Sequence, residues 1–259
     1  MFSHTLHPYF QDSRMPIRTL VVGAGGTGSK VVIGLKNIHQ GLRALGYPGL
    51  EVVLADGDTV SESNLVRQSF YPSDVGLNKA EVLINRLNLS CGLDWQALPR
   101  HLEAADITGL RSSILFTCVD SRSARATVQA GMETYQRVVL HLDIGNLRDS
   151  GQFVLGSPLG FYNPRRKDRL RTAFELFPEL TDITLPEDDT PSCSTIEALE
   201  KQDLFINDML VTSALALLWR LLRYGEISHH GAFVDLKTGS VQPLLIDPTL
   251  WRRLRRQRY

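Results

Sequence analysis

Gly23-Ala24-Gly25-Gly26-Thr27-Gly28 sets glycines at the first, third and sixth positions of a tight turn. Without side chains there the backbone can approach a phosphate, and a helix starting in the turn offers its unpaired N–H groups to the anion. Asp56 follows an apolar run, where a carboxylate can accept both hydroxyls of a ribose. A dinucleotide redox cofactor would be served equally well by these features. What comes next discriminates: Asn64, Arg67 and Lys79 supply donors and two fixed positive charges, which a triphosphate calls for and a redox cofactor's diphosphate does not. Asp120 follows a further apolar run, and a hard carboxylate there suits Mg²⁺ shared with phosphates. Each residue has a plainer alternative: a glycine turn that packs a helix on a strand, Arg67 and Lys79 as solvated charges, Asp120 as the N-cap of a helix beginning near Ser123.

The elements that must position these groups can be read from apolar periodicity. Ile17 to Val22 is a β-branched run ending in glycine, and Val31, Val32, Leu35 and Ile38 then switch to helical spacing. Glu51–Ala55 reads as a strand, Ala80–Leu89 as a helix, Ser113–Val119 and Ser123–Tyr135 as another strand and helix, and Val138–Ile144 and Gln152–Gly156 as strands. Alternating strands and helices predict a Rossmann-like α/β fold, a mostly parallel sheet covered on both faces with ligands at the carboxyl ends of its strands. Residues 1–145 are read as the nucleotide-binding half and 146–259 as a C-terminal half, together one continuous domain. That second half is expected to hold a turn-rich basic loop over Pro158–Arg171, an irregular acidic crossover loop over 181–194 and a helix over Ile196–Tyr224 closed by Gly225. A hairpin around Lys237-Thr238-Gly239-Ser240 and an arginine-rich tail over Trp251–Tyr259 complete it.

At 259 residues and 43% apolar composition the chain can bury a full core. Its 28 basic residues balance 28 acidic ones, so no overall field selects nucleic acid or an acidic membrane. The Arg165–Arg171 and Arg252–Arg258 stretches are read as solvated faces, a landing surface for an acidic partner or a weak nucleic-acid contact, and no interleaved aromatics favour the last. Three cysteines form neither a disulfide framework nor a zinc site, which predicts a cytoplasmic protein; Met1–Phe10 lacks a secretory apolar run, and Met209–Leu222 is too short and too charged to span a membrane. Cys91 and Cys118 read as structural. Cys193, before the long helix, would be helped toward thiolate by the helix N-terminus and opposed by Asp188 and Asp189. His229 and His230, being adjacent, point to opposite faces of a strand and read as structural.

Taken together, Gly23-Ala24-Gly25-Gly26-Thr27-Gly28, Asp56-Gly57-Asp58-Thr59-Val60, Ser63-Asn64-Leu65-Val66-Arg67-Gln68, Lys79, and Asp120 with Arg125 resemble the ThiF/MoeB/HesA family, bacterial relatives of the ubiquitin-activating enzymes. The resemblance covers about the first 145 residues. It implies a Mg-ATP site built from Gly23, Gly25, Gly26, Gly28, Asp56, Asp58, Asn64, Arg67, Gln68 and Lys79, with Asp56 on the ribose, Asn64, Arg67 and Lys79 on the phosphates and Asp120 on the metal. The implied reaction is attack on the α-phosphate of ATP by the C-terminal carboxylate of a small ubiquitin-like protein, with Arg67, Lys79 and Asp120 as catalytic groups and Cys193 as the candidate acceptor of the activated acyl group. A homodimer is expected.

The match has departures. Paired Cys-x-x-Cys motifs common among relatives are missing, so no zinc is expected; Arg14 and Arg18 lie in no Arg-Tyr-x-Arg-Gln-type segment; and Thr117 stands where relatives usually carry an aspartate. Lys201 to Asn207 and the final hairpin resemble the ThiF-like protein of plasmid-associated PRTRC gene sets, which implies a ubiquitin-like protein and an isopeptidase-like protein as partners. Three other readings stay open: an activator of a sulfur-carrier protein for thiamine or molybdopterin synthesis, a non-catalytic nucleotide-binding scaffold, and an NAD-dependent oxidoreductase.

Overall fold

One eight-stranded sheet runs through the protein, whose computed structural model describes residues 2–11, 14–166, 169–186 and 202–255. In chain order the elements are β1 (His4–Thr5), β2 (Ile17–Val22), α1 (Gly26–Ala44), β3 (Leu50–Ala55), α2 (Lys79–Cys91), β4 (Gln96–Leu98), α3 (Ala104–Leu110), β5 (Ile114–Thr117), α4 (Arg122–Tyr135), β6 (Leu140–Asn146), β7 (Ser150–Gly156) and α5 (Ala173–Leu176). After them come α6 (Ile206–Tyr224), β8 (Glu226–Ile227), β9 (His229–Asp235), β10 (Ser240–Leu245) and α7 (Pro248–Leu254). The sheet order is β10-β9-β7-β6-β5-β2-β3-β4, parallel from β4 to β6 and antiparallel from β6 to β10, while β1 and β8 form a separate antiparallel ribbon. The expected Rossmann-like α/β architecture is therefore present. β2 lies between β3 and β5, so the strand order reverses there, and the crevice at its carboxyl end is where such sheets accept ligands.

Some boundaries differ from expectation for local reasons. The long helix begins at Ile206, not Ile196: residues 202–205 are bends and turns, and 187–201 fall outside the described residues. The arginine-rich tail starts as α7, whose Trp251 is buried and whose N-cap Asp247 accepts from Thr249 N–H at 2.7 Å. β4 and α3, too short for a periodic signal, went unread. The basic stretch Arg165–Arg171 is not uniformly surface: Arg165 and Arg166 are exposed, but Arg169 is buried, donating to the Ser157 carbonyl and forming a two-armed pair with Glu175.

Packing between α1 and α6 decides where the second half of the chain meets the first. A Cβ at Gly34 would lie 2.2 Å from Leu215 Cδ1, one at Gly41 2.7 Å from Trp219, and one at Gly26 2.7 Å from Asn207 Nδ2. Glycines thus let the helices cross closely along their length, and the order of contacts shows that they run parallel. Both N-termini consequently arrive at one end, beside the carboxyl edge of β2. Leu210, Leu217, Leu218 and Leu221 are buried on the inner face of α6, and each contributes about 1.5–3 kcal/mol by leaving water.

Candidate nucleotide site

The glycine turn is sterically exact in its demands. Gly23 has φ +92°, and its missing Cβ leaves room for the Cys118 carbonyl, 2.6 Å from where that atom would sit; at Gly28 a Cβ would be 1.8 Å from the Gly23 carbonyl oxygen. Gly25 differs, since nothing lies within 4 Å of its Cβ position, and as N-cap of α1 it brings no capping side chain. The start of α1 is open to an anion.

Asp56, just past β3, reaches across to this turn. Its Oδ2 accepts from Ala24 N–H at 2.5 Å and its Oδ1 from Asp58 N–H at 2.8 Å. Burial pushes its carboxyl above the ordinary range, and those two N–H groups oppose the shift. Lys79, buried at the start of α2, places its ammonium 3.0 Å from Asp58 Oδ2. Asn78, a residue the sequence reading missed, caps α2 and also donates to the carbonyls of Asp56 and Asp58 at 3.0 and 3.2 Å. Asp56, Asp58 and Lys79 are therefore one connected group.

The Ser63–Gln68 segment folds over α1, pinned by Ser69 N–H donating to Ser29 Oγ at 3.2 Å. Asn64 has a local job, accepting from Ser61 N–H at 2.9 Å. Arg67 Nη1 donates to Gln202 Oε1, and Asn207 Nδ2 reaches the same oxygen at 3.5 Å while its Oδ1 accepts from Thr27 Oγ1 at 2.9 Å. Gln202 and Asn207 lie far along the chain, in the Lys201–Asn207 segment that the sequence marks only by its resemblance and not as part of a nucleotide site. Arg67 Nε and Gln68 Oε1 are buried with no hydrogen-bond partner among the described residues, and burial lowers the Arg67 pKa from its ordinary value. Since buried polar groups are costly to leave unpaired, these two atoms fit a polar guest at this edge.

Asp120 is exposed beyond the end of β5. It is not the cap of α4, because Ser121 holds that place, accepting from Ala124 N–H at 3.2 Å. Arg125 instead takes the Asp120 backbone carbonyl, Nη1 to O at 2.9 Å, and pairs through Nε with Asp143 Oδ1 at 3.2 Å. Asp143, His141 and Thr117 are all buried, and Thr117 Oγ1 lies 2.8 Å from His141 Nε2. Burial, reinforced by the Arg125 charge, pushes His141 down to about 3, so the ring is neutral; burial pushes the Asp143 carboxyl up against the pull of Arg125. His141 and Asp143 were legible only as polar interruptions of an apolar strand. Cys118 is buried beside this group with its thiol raised by burial, Cys91 is half-buried at the end of α2, and Cys193 lies outside the described residues.

No helix among the described residues is long and apolar enough to cross a membrane. Among solved structures the chain is similar to PaaA, at 14% identity with a TM-score of 0.58, covering 89% of this chain and 64% of that one. It is also similar to MccB of E. coli crystallised with ATP, at 16% identity and TM-score 0.53, covering 89% and 63%. MccB with MccA matches at 16% identity and TM-score 0.60, covering 92% and 66%. The chain spans less than two thirds of the length of these structures, and the likeness is one of fold. A search of the curated proteins finds no match. The ThiF family model matches residues 6–230, most of the length, and the chain belongs to the ThiF family.

Proposed function

We propose that this chain uses Mg-ATP to adenylate the C-terminal carboxylate of a small ubiquitin-like protein. The observation that carries the reading is the edge of β2, β3 and β5, where the start of α1, with no side-chain cap, the Asp56-Asp58-Lys79 group and the buried Arg67 Nε and Gln68 Oε1, without partners among the described residues, lie on segments that pack together. Family membership supports ATP as the nucleotide, and the crystallisation of MccB with ATP is in keeping with it. Residues 1–145 would supply the nucleotide-binding half, and the functional unit would be a homodimer.

In this reading the glycine turn and the N–H groups of α1 bind phosphate, and Asp56 orients the ribose. Arg67 and Lys79 neutralise charge that gathers as two anions approach. Asp58 holds the Lys79 ammonium in place meanwhile. Asp120 would hold Mg²⁺, whose chemistry is to polarise phosphate oxygens. A carboxylate oxygen of the partner forms a bond to the α-phosphorus, the bond from that phosphorus to the bridging oxygen breaks, and pyrophosphate leaves. No general base is required, because the nucleophile is already ionised at neutral pH. Cys193 is the proposed acceptor in a following transfer: its thiolate sulfur bonds the acyl carbon, the bond from that carbon to the adenylate oxygen breaks, and AMP leaves as the thioester forms.

Incubation with Mg-ATP and a candidate ubiquitin-like protein tests both steps. Pyrophosphate exchange should depend on the partner's free C-terminus and be lost in Lys79→Ala. Electrophoresis should show a reductant-sensitive adduct that Cys193→Ala removes; exchange without an adduct would reject the thioester and leave adenylation standing. Tight NAD binding with no exchange would reject adenylation itself.

A further inference from the structure

We propose that Asp143 is a positioning residue for Asp120, acting through Arg125. The inference rests on the reading of Asp120 as the metal-binding carboxylate. Asp143 lies on β6 at 1% exposure and Arg125 on α4 at 6%. One planar guanidinium joins them to the candidate site: Nε to Asp143 Oδ1 at 3.2 Å and Nη1 to the Asp120 carbonyl at 2.9 Å. A guanidinium is a rigid fork, so fixing one arm on β6 fixes the other on the turn that carries Asp120.

Stability alone does not account for such an arrangement. A buried ion pair loses so much hydration that a well-packed apolar pair is often as stable or more so. Here the pair leaves Asp143 Oδ2 without a partner among the described residues, so its cost is not fully offset by hydrogen bonding. Space has also been kept for it, since a Cβ at Gly145 would stand 3.3 Å from Arg125 Nη2. The product of the arrangement is a defined β5–α4 turn. The Ser121 cap, the strand bond from Cys118 N–H to the Val22 carbonyl at 2.9 Å, and Arg122 donating to the Glu179 and Pro186 carbonyls at 3.0 and 2.8 Å hold the ends of that turn, while Arg125 alone among the described residues takes the Asp120 carbonyl within it.

Register supplies a way to move the carboxylate without losing it. Thr117 on β5 is the direct parallel partner of Asp143 on β6. Neighbouring strands lie about 4.8 Å apart and paired residues project to the same face. An aspartate at 117 with a threonine at 143 keeps charge and volume within the same buried cluster, on the sheet face from which Asp143 meets Arg125.

The test measures ATP affinity by calorimetry with Mg²⁺ and again with EDTA, so that the gain due to the metal is read separately from nucleotide binding. Asp120→Asn should abolish that gain. Asp143→Asn should reduce it by about 10-fold or more, the usual scale for residues that orient a metal ligand, while changing affinity in EDTA less than about 2-fold. The transplant Thr117→Asp/Asp143→Thr should restore the gain, and Arg125→Lys, which retains the charge but not the fork, should lose it. Equal losses with and without Mg²⁺ in Asp143→Asn would overturn the proposal, showing a residue that merely holds the fold. So would a folded transplant that lacks the gain. If Asp143→Asn does not fold, the transplant and Arg125→Lys decide. An intact gain in Asp120→Asn sinks the metal assignment itself, whatever the Asp143 variants do.

Discussion

Thr27 Oγ1 donates to Asn207 Oδ1 at 2.9 Å, tying the first turn of α1 to the first turn of α6 across 180 positions of sequence. Both side chains are buried, and the amide of Asn207 also covers Gly26. The start of α1, which borders the candidate nucleotide site, is therefore held by the second half of the chain.

Asn207→Ala leaves the Thr27 hydroxyl buried without its acceptor, and the cost is expected to be about 1–3 kcal/mol. Denaturant unfolding should show this loss, and ATP affinity should fall with it because the start of α1 loosens. Asn207→Asp retains the acceptor for Thr27 but sets a carboxylate oxygen against Gln202 Oε1 and adds a negative charge beside the candidate phosphate site, so it should recover only part of the stability and none of the nucleotide affinity. Unchanged ATP affinity in both variants would separate Asn207 from the site.

Gly25 and Gly28 should behave oppositely when each becomes alanine. At Gly28 the added carbon meets the Gly23 carbonyl at 1.8 Å, a backbone atom that cannot step aside, so Gly28→Ala should lower stability by roughly 1–3 kcal/mol or more. At Gly25 the added carbon has open space. Gly25→Ala should therefore keep the melting temperature and lose ATP affinity, because the methyl occupies the path of an approaching phosphate. Normal ATP binding by Gly25→Ala would place the phosphates elsewhere.

Arg67→Lys retains a positive charge but cannot hold Gln202 with one arm while presenting Nε to a ligand. Hydrogen bonds to a charged group are worth about 1.5–3 kcal/mol, so ATP affinity should drop by roughly 10-fold or more. The melting temperature should change little in comparison. Titration calorimetry against ATP checks both the direction and the size.

His230 makes a pH prediction. Its Nε2 accepts from Trp251 Nε1–H at 2.9 Å and its Nδ1 lies 2.8 Å from the Leu155 carbonyl, so the ring is neutral with the proton on Nδ1. Burial pushes it down to about 4, against the raising effect of the Leu155 bond. Between pH 6.5 and about 4 the unfolded chain takes up a proton there that the folded chain does not. The stability contributed by this neutral histidine is thus present above that window and lost as pH falls through it, by about 1.4 kcal/mol per pH unit. His230→Leu should be less stable at pH 8, with the indole N–H unpaired, and should show a shallower acid loss than the parent in denaturant melts from pH 8 to 4.

Much of the first half was legible because it is local. Ile17–Val22 has the bounds its sequence predicts, since five of its six residues are buried in a parallel strand, only Arg18 facing out, and its glycine turn follows at once. β4 escaped because its three residues are too few to show a period, and the start of α6 was misplaced because no capping residue marks it.

The amino-acid sequence by itself determined the alternation of strands and helices, the glycine turn and the carboxylates at strand ends, because each depends on residues within a few positions of one another. Only the tertiary structure decided what those groups touch: Gln202 on Arg67, Asn207 over Gly26, and Asp143 behind Arg125 and the Asp120 turn. These partners come from distant segments carried together by the parallel packing of α1 on α6 and the pairing of β5 with β6. No local spacing encodes them, because a hydrogen bond is selected by where buried elements bring its two ends, not by the residues that flank either one.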